Sequence, residues 1–196
     1  AMFSDGVWLI AIVWQVIALG GGPGQVSLVS GIAAVGMVVS TLAGGVLADR
    51  VSQRLIMIGL ETAKLVVFAV VGIASVTGTL ALLHLVCAAL IIGVTTGMYY
   101  PAYSAMLPSI VAAAQLQAAN GIEGFLRPVI YQASGPMLAG VIIGALNPGA
   151  AILLAGVASA LSALCYVAMK PVALRRDITN LDAHPVRAVV SDLSED

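Results

Sequence analysis

Charge is what this sequence has least of. Eight Lys and Arg with nine Asp and Glu amount to 9% of 196 residues, where a soluble domain carries about 25%. A compact body of this length in water needs a solvated outer face, so the shortage excludes a soluble globular enzyme. The balance is near neutral, with a net charge of −1 and a pI near 6.1, which leaves no basic field for nucleic acid. There are two histidines, His84 and His184, too few and too far apart to supply a zinc site. Neither H-E-x-x-H nor G-x-S-x-G is present, and no cofactor fingerprint stands out, so no enzyme, metal or cofactor is expected. The two cysteines, Cys87 and Cys165, lie in apolar runs; they are expected to be small core residues and not a disulfide framework. The start of the chain lacks the basic region and cleavage pattern of a signal peptide.

What the chain has in abundance is apolar surface: 61% of its residues are hydrophobic and its mean hydropathy is +1.09. A hydrocarbon core about 30 Å thick takes about 20 helical residues to cross. Six apolar runs answer that description, at 3–19, 26–48, 55–75, 80–102, 118–144 and 149–169. The expected fold is an all-α membrane protein of six transmembrane helices. Between the runs, Gly20-Gly21-Gly22-Pro23-Gly24 is expected to break any helix, and the segment from Ala48 to Arg54 is polar. Thr77-Gly78-Thr79 and Asn147-Pro148-Gly149 read as tight turns, and Pro101 and Pro108 as brackets of the fourth break. The first run is short, which implies a chain that starts inside its first helix.

Lys and Arg fix orientation, because they stay in the cytoplasm. Arg50 and Arg54 lie in the second loop, and Lys170, Arg175, Arg176 and Arg187 follow the sixth run. An even number of spans then puts both termini in the cytoplasm of a cell whose inner (plasma) membrane the chain crosses. Residues 1–170 form the bundle; 171–196, charged and polar, form a cytoplasmic linker or tail.

Charges within a span cost about 2.5–3.5 kcal/mol each on insertion scales. Glu61 and Lys64 share a face of the third run, and Glu123 and Arg127 a face of the fifth. They are either local neutralising pairs or parts of a water-filled cavity that binds substrate or relays protons. Arg127 lies on the order of 14 Å along its helix from Ala118, near the membrane centre. Asp5 and Gln15 on the first run are further candidates. His84 is expected at the interface, and Tyr99, Tyr100 and Tyr103 as an aromatic belt. Among the 21 glycines, Gly31, Gly36, Gly44, Gly45, Gly135, Gly140 and Gly144 are placed for close helix approach, Gly140-x-x-x-Gly144 with the packing spacing itself. Gly135-Pro136 in mid-span marks a hinge or a close-contact surface.

The second loop reads Gly45-Val46-Leu47-Ala48-Asp49-Arg50-Val51-Ser52-Gln53-Arg54. It resembles the signature G-x-L-A-D-R-x-G-R-[RK] of the major facilitator superfamily, with Ser52 and Gln53 replacing a Gly and a basic residue. Ser134-Gly135-Pro136-Met137-Leu138-Ala139-Gly140 is similar to the antiporter motif G-P-x-x-G-G. Tyr100-Pro101-Ala102, Leu107-Pro108 and Leu116-Gln117-Ala118-Ala119-Asn120 are similar to the bacterial exporters that include the enterobactin and macrolide efflux proteins. The resemblance implies the N-terminal half of a twelve-helix fold, stopping in the linker before the seventh helix. By that resemblance Asp49 meets a helix N-terminus of the other half, while Arg50 and Arg54 join a gating ion-pair cluster with Glu61 as partner. The implied function is half of a proton-coupled secondary exporter of small molecules, drugs or siderophores, working by alternating access. Its partners are the bilayer, a small-molecule substrate, and a C-terminal six-helix half or a second copy. The alternative is a non-transporting scaffold or regulatory fragment that keeps the fold.

Overall fold

A computed structural model describes residues 1–169, apart from the side chains of Val46, Ala48, Asp49, Arg50, Ser109 and Ala113. The tail and its Lys170, Arg175, Arg176 and Arg187 lie outside the described residues. The described elements are helices: α1 (Met2–Ala18), α2 (Pro23–Arg50), α3 (Gln53–Val76), α4 (Leu82–Ile110), α5 (Leu116–Arg127), α6 (Gly135–Ala145) and α7 (Pro148–Ala168). A π-helical stretch, Pro128–Ser134, joins α5 to α6, so that Leu116–Ala145 acts as one span. Five segments are long and apolar enough to cross a membrane: this one, Pro23–Gly45, Gln53–Val76, Leu82–Pro108 and Pro148–Ala168. The first run is the shorter α1, 17 residues long, which reaches about 26 Å at 1.5 Å per residue.

The turns follow residue chemistry. Gly20 and Gly78 take left-handed φ angles of 79° and 73° in the first and third connections, a backbone conformation that residues with a Cβ rarely adopt. Asn147 caps α7 by accepting from the Ala150 N–H at 2.9 Å, with Pro148 in the first turn. Pro23 and Gly24 are not part of a break; they open α2, because proline tolerates a helix's first turn.

The expectation that Pro101 and Pro108 end the fourth run is corrected: both lie inside α4, which runs on to Ile110. Pro101 cannot donate to the carbonyl of Gly97 one turn earlier. The Thr41 hydroxyl of α2, which bonds the Met37 carbonyl of its own helix at 2.7 Å, also lies 3.3 Å from the Gly97 carbonyl, so the neighbouring helix offers a shared donor where the backbone has none.

Helices α2 and α4 run parallel and almost touch. A Cβ added at Gly93 or Gly97 would collide with the backbone carbonyl of Ala33 or Met37. Helices α1 and α3 are also parallel, bridged by Asp5 to Lys64 near one end and Gln15 to Ser75 near the other. Helix α7 returns antiparallel along α3, with Gly72 against Leu153 and Gly149 against Ser75. At the α1–α6 crossing Gly6 abuts the Tyr131 carbonyl, and Gly135 abuts Gly6 in turn.

Burial runs opposite to the soluble pattern. Glu61 and Lys64 are sealed inside, while Leu42, Leu83 and Leu146 stand at 70% exposure or more. An outer face of this kind suits lipid. Cys87 and Cys165 are exposed, which corrects their expected place in the core; a thiol is apolar enough for either environment. The largest packed cluster joins Val7, Trp8 and Ala11 of α1 to Phe68 of α3, Leu85 and Ala89 of α4, and Ile152 and Ala155 of α7.

Candidate functional site

Two polar constellations stand out, one buried and one part-exposed. The first is built on α1 and α3. Lys64 donates to both carboxylate oxygens of Asp5, at 2.7 and 2.8 Å, and lies 3.8 Å from Glu61 Oε1. Its side chain has 0% exposure and that of Glu61 1%, against 15% for Asp5. The two carboxylates thus share one ammonium away from water. The helical spacing of Glu61 and Lys64 places them on one face, as expected, but the tight partner of Lys64 is Asp5, which is 59 residues away in the chain. Among the described residues, neither oxygen of Glu61 has a hydrogen-bond donor.

The second constellation lies on α5 and α4. Arg127 bonds Glu123 one turn back and the Tyr100 hydroxyl of α4, and its guanidinium sits 4.3 Å from the Tyr100 ring centroid. Glu123 and Arg127 pair as their spacing requires. Tyr99, 8% exposed, packs with Ile56, Met57 and Leu60 and stacks on Tyr103 at 5.7 Å. Tyr99 points inward, which corrects its place in the expected aromatic belt, while Tyr103 is half-buried and Tyr100 is 46% exposed. His84 accepts from the Ala81 N–H at 3.0 Å and so caps the start of α4.

A cavity of about 250 Å³ opens between α1, α2 and α4, walled by Trp8, Ile12, Val29, Ala33 and Ile92. A second, of about 230 Å³, is walled by Tyr99, Tyr100 and Arg127. Asp5, Met37, Thr96 and Tyr131 line both, so the two form one track. Asp5 stands at its junction and Arg127 at its far end. Trp8, Thr96 and Tyr131 were not singled out in the sequence, although Thr95-Thr96 is a hydroxyl pair within an apolar run. Tyr131 lies in the π-helical stretch, whose wider turn follows two prolines' worth of lost donors, at Pro128 and Pro136.

The signature segment is split between helices. Gly45 lies in α2, Arg50 ends it, and Arg54 lies in the first turn of α3. The side chains of Asp49 and Arg50 lie outside the described residues. Arg54 donates to the Tyr166 and Val167 carbonyls at the end of α7, at 2.8 and 2.5 Å, where a cation meets the negative end of the helix dipole. Its described partners are these carbonyls and not Glu61. Of the packing glycines, Gly36, Gly44 and Gly135 make close contacts. A Cβ at Gly31, Gly45, Gly140 or Gly144 would meet nothing within 4 Å among the described residues.

A multi-pass helical bundle with an apolar track and a buried ion-pair cluster beside it is the build of a membrane transporter. Residues 3–186 match the family of transmembrane secretion effectors within the major facilitator superfamily. The chain belongs to that family. Comparison with curated proteins and with solved structures gives no match.

Proposed function

We propose that this chain is the N-terminal half of a proton-coupled exporter. It carries a small amphipathic molecule out across the inner (plasma) membrane by alternating access. In this reading both termini are cytoplasmic, and a C-terminal six-helix half or a second copy supplies the other wall of the pathway. Asp49, Arg50 and Arg54 belong to the gate, while Asp5, Glu61, Lys64, Glu123 and Arg127 serve substrate or proton. The hinge is at Gly135 and Pro136. The observation that carries the reading is the track past Asp5, apolar along its walls and bordered by titratable groups at its junction and far end. Such a lining suits an occupant with an oily body and a polar handle.

The test is reconstitution in vesicles with a matching six-helix half. An imposed proton gradient is expected to drive substrate efflux, and Asp49→Ala to reduce the rate at least tenfold with the fold intact. Equal rates for the two proteins, or efflux indifferent to the gradient, would overturn the reading.

A further inference from the structure

We propose that a cavity at the end of the bundle farthest from Arg54 is a second binding site, and that it takes an uncharged polyhydroxyl group, either a free saccharide or the sugar head of a glycolipid. It shares no lining residue with the track past Asp5, and it stands whether or not that track carries substrate.

The cavity, of about 400 Å³, lies where α1 and α3 end and α7 begins. Three polar side chains converge on it. Gln15, 4% exposed, accepts from the Ser75 hydroxyl at 2.8 Å through its amide oxygen. Its amide nitrogen bonds nothing among the described residues and is not sealed in, so a buried side chain opens two N–H donors on the cavity. Asn147 is placed in the same way. Its oxygen caps α7 on the Ala150 N–H at 2.9 Å, and its nitrogen has no partner among the described residues. Gly149 makes the floor: a Cβ there would lie 2.5 Å from Ser75 Oγ and 3.1 Å from Asn147 Oδ1, so these oxygens converge only because the side chain is missing. Acceptors come from the helix ends. Ala18 and Val76, in the last turns of α1 and α3, line the cavity, and their carbonyls accept no bond among the described residues.

This set of groups selects the ligand. An orphan amide N–H needs an acceptor and an orphan carbonyl needs a donor; a hydroxyl group is both. Charge is disfavoured by what surrounds the site. Residues 6–48, 65–122 and 128–169 hold no Asp, Glu, Lys or Arg, and every connection at this end falls within them. Asp5 and Lys64 lie about 15 Å or more along their helices from Gln15 and Ser75. His84 is not in the wall, and its ring nitrogen is occupied by the Ala81 N–H. Helices α1 and α3 bring carbonyl ends here while α4 and α7 bring amide ends, so the helix dipoles offset one another. A cation or an anion would give up its water and gain no counter-ion. The apolar part of the wall, Leu80 and Pro148, suits the C–H face of a sugar ring. The cavity lies at the ends of membrane spans, within reach of a lipid headgroup and of a solute alike.

The experiment uses the full chain in lauryldimethylamine oxide, a detergent without a sugar head, with its asparagine and glutamine side-chain amides labelled with nitrogen-15. Glucose is the soluble probe, and a monoglucosyl diacylglycerol in the same micelles is the lipid probe. Binding is read from the Gln15 and Asn147 side-chain amide signals, identified by their loss in Gln15→Met and Asn147→Ser. It is read also from the melting temperature, which rises with any ligand held by the folded chain alone. Saturable shifts of both amides and a raised melting temperature are expected with one probe or both, and the probe that acts at the lower concentration identifies the source. Asn147→Ser keeps a cap on α7 and Gln15→Met keeps the bulk of the side chain. Each is expected to weaken binding about five- to tenfold, as the loss of neutral hydrogen bonds does. Glucuronate and glucosamine are expected to bind at least tenfold more weakly than glucose, a comparison by melting temperature that needs no variant. Amide signals that move with neither probe would leave the cavity to water and overturn the proposal. So would charged and neutral sugars bound alike, or variants that bind as the parent does. Each of these results leaves the transport reading untouched.

Discussion

Lys64 has no exposure, and its ammonium pairs tightly with Asp5 and lies close to Glu61. Removing one partner of such a pair leaves charge stranded in a medium that solvates it poorly, a loss of about 3–5 kcal/mol. Lys64→Ala is therefore expected to lower the melting temperature in detergent sharply. Asp5→Asn in the same chain is expected to return a large part of the loss, because the carboxylate that lost its counter-ion is then neutral. A melting temperature for the double variant no higher than for Lys64→Ala would show that Lys64 acts through packing instead. This pairing was only half legible in the sequence. Helical spacing puts Glu61 beside Lys64, and it says nothing of a partner on another helix. Asp5 stood out only as a charge near a short apolar run, and its role follows from α1 lying parallel to α3. The inward turn of Tyr99 was hidden for a similar reason, since an aromatic near a span's end satisfies an interface and a core equally well.

At the scale of elements, glycine placement separates contacts that matter from spacing that merely repeats. Gly93 and Gly97 are four apart, and each faces a carbonyl of α2 too closely for a methyl group. Gly140 and Gly144 have the same spacing and face open space among the described residues. Gly97→Ala forces α2 and α4 apart or bends them, a strain of about 1–3 kcal/mol. Gly140→Ala meets no such resistance, and the better helix propensity of alanine is worth up to about 1 kcal/mol. Thermal unfolding of the chain in detergent is expected to rank Gly97→Ala well below the parent and Gly140→Ala level with it or above; the reverse order would contradict the α2–α4 contact. The sequence holds both spacings, but only Gly140-x-x-x-Gly144 stood out in it; Gly93 and Gly97 were passed over, because spacing does not say which pair faces a neighbour. Span positions were read well, because a bilayer fixes the length of an apolar run. The continuation of α4 through Pro101 and Pro108 was not, because proline in water marks a break, whereas here a threonine hydroxyl of α2 is shared between the Met37 and Gly97 carbonyls.

The whole molecule is legible from outside inward. Among the described residues charges are few and two of them, Glu61 and Lys64, are buried, while many exposed side chains are oily and the long helices are long enough to cross a bilayer. Val157 makes the sharpest test, since it sits at the middle of α7 and is 56% exposed. On a soluble protein, a lysine at such a position would change stability by no more than about 0.5 kcal/mol. In a bilayer it stands near the centre of the hydrocarbon, where insertion scales put the cost at about 2.5–3.5 kcal/mol. Val157→Lys is thus expected to shift the insertion equilibrium of α7 by roughly two powers of ten in a translocation assay that scores glycosylated reporters on either side of the span. The same lysine at Leu146, which is 71% exposed but lies in the connection between α6 and α7, is expected to have little effect, because its ammonium reaches the headgroups. If the two variants inserted alike, exposure on this surface would not mean contact with lipid, and the helices would have to be covered by something else.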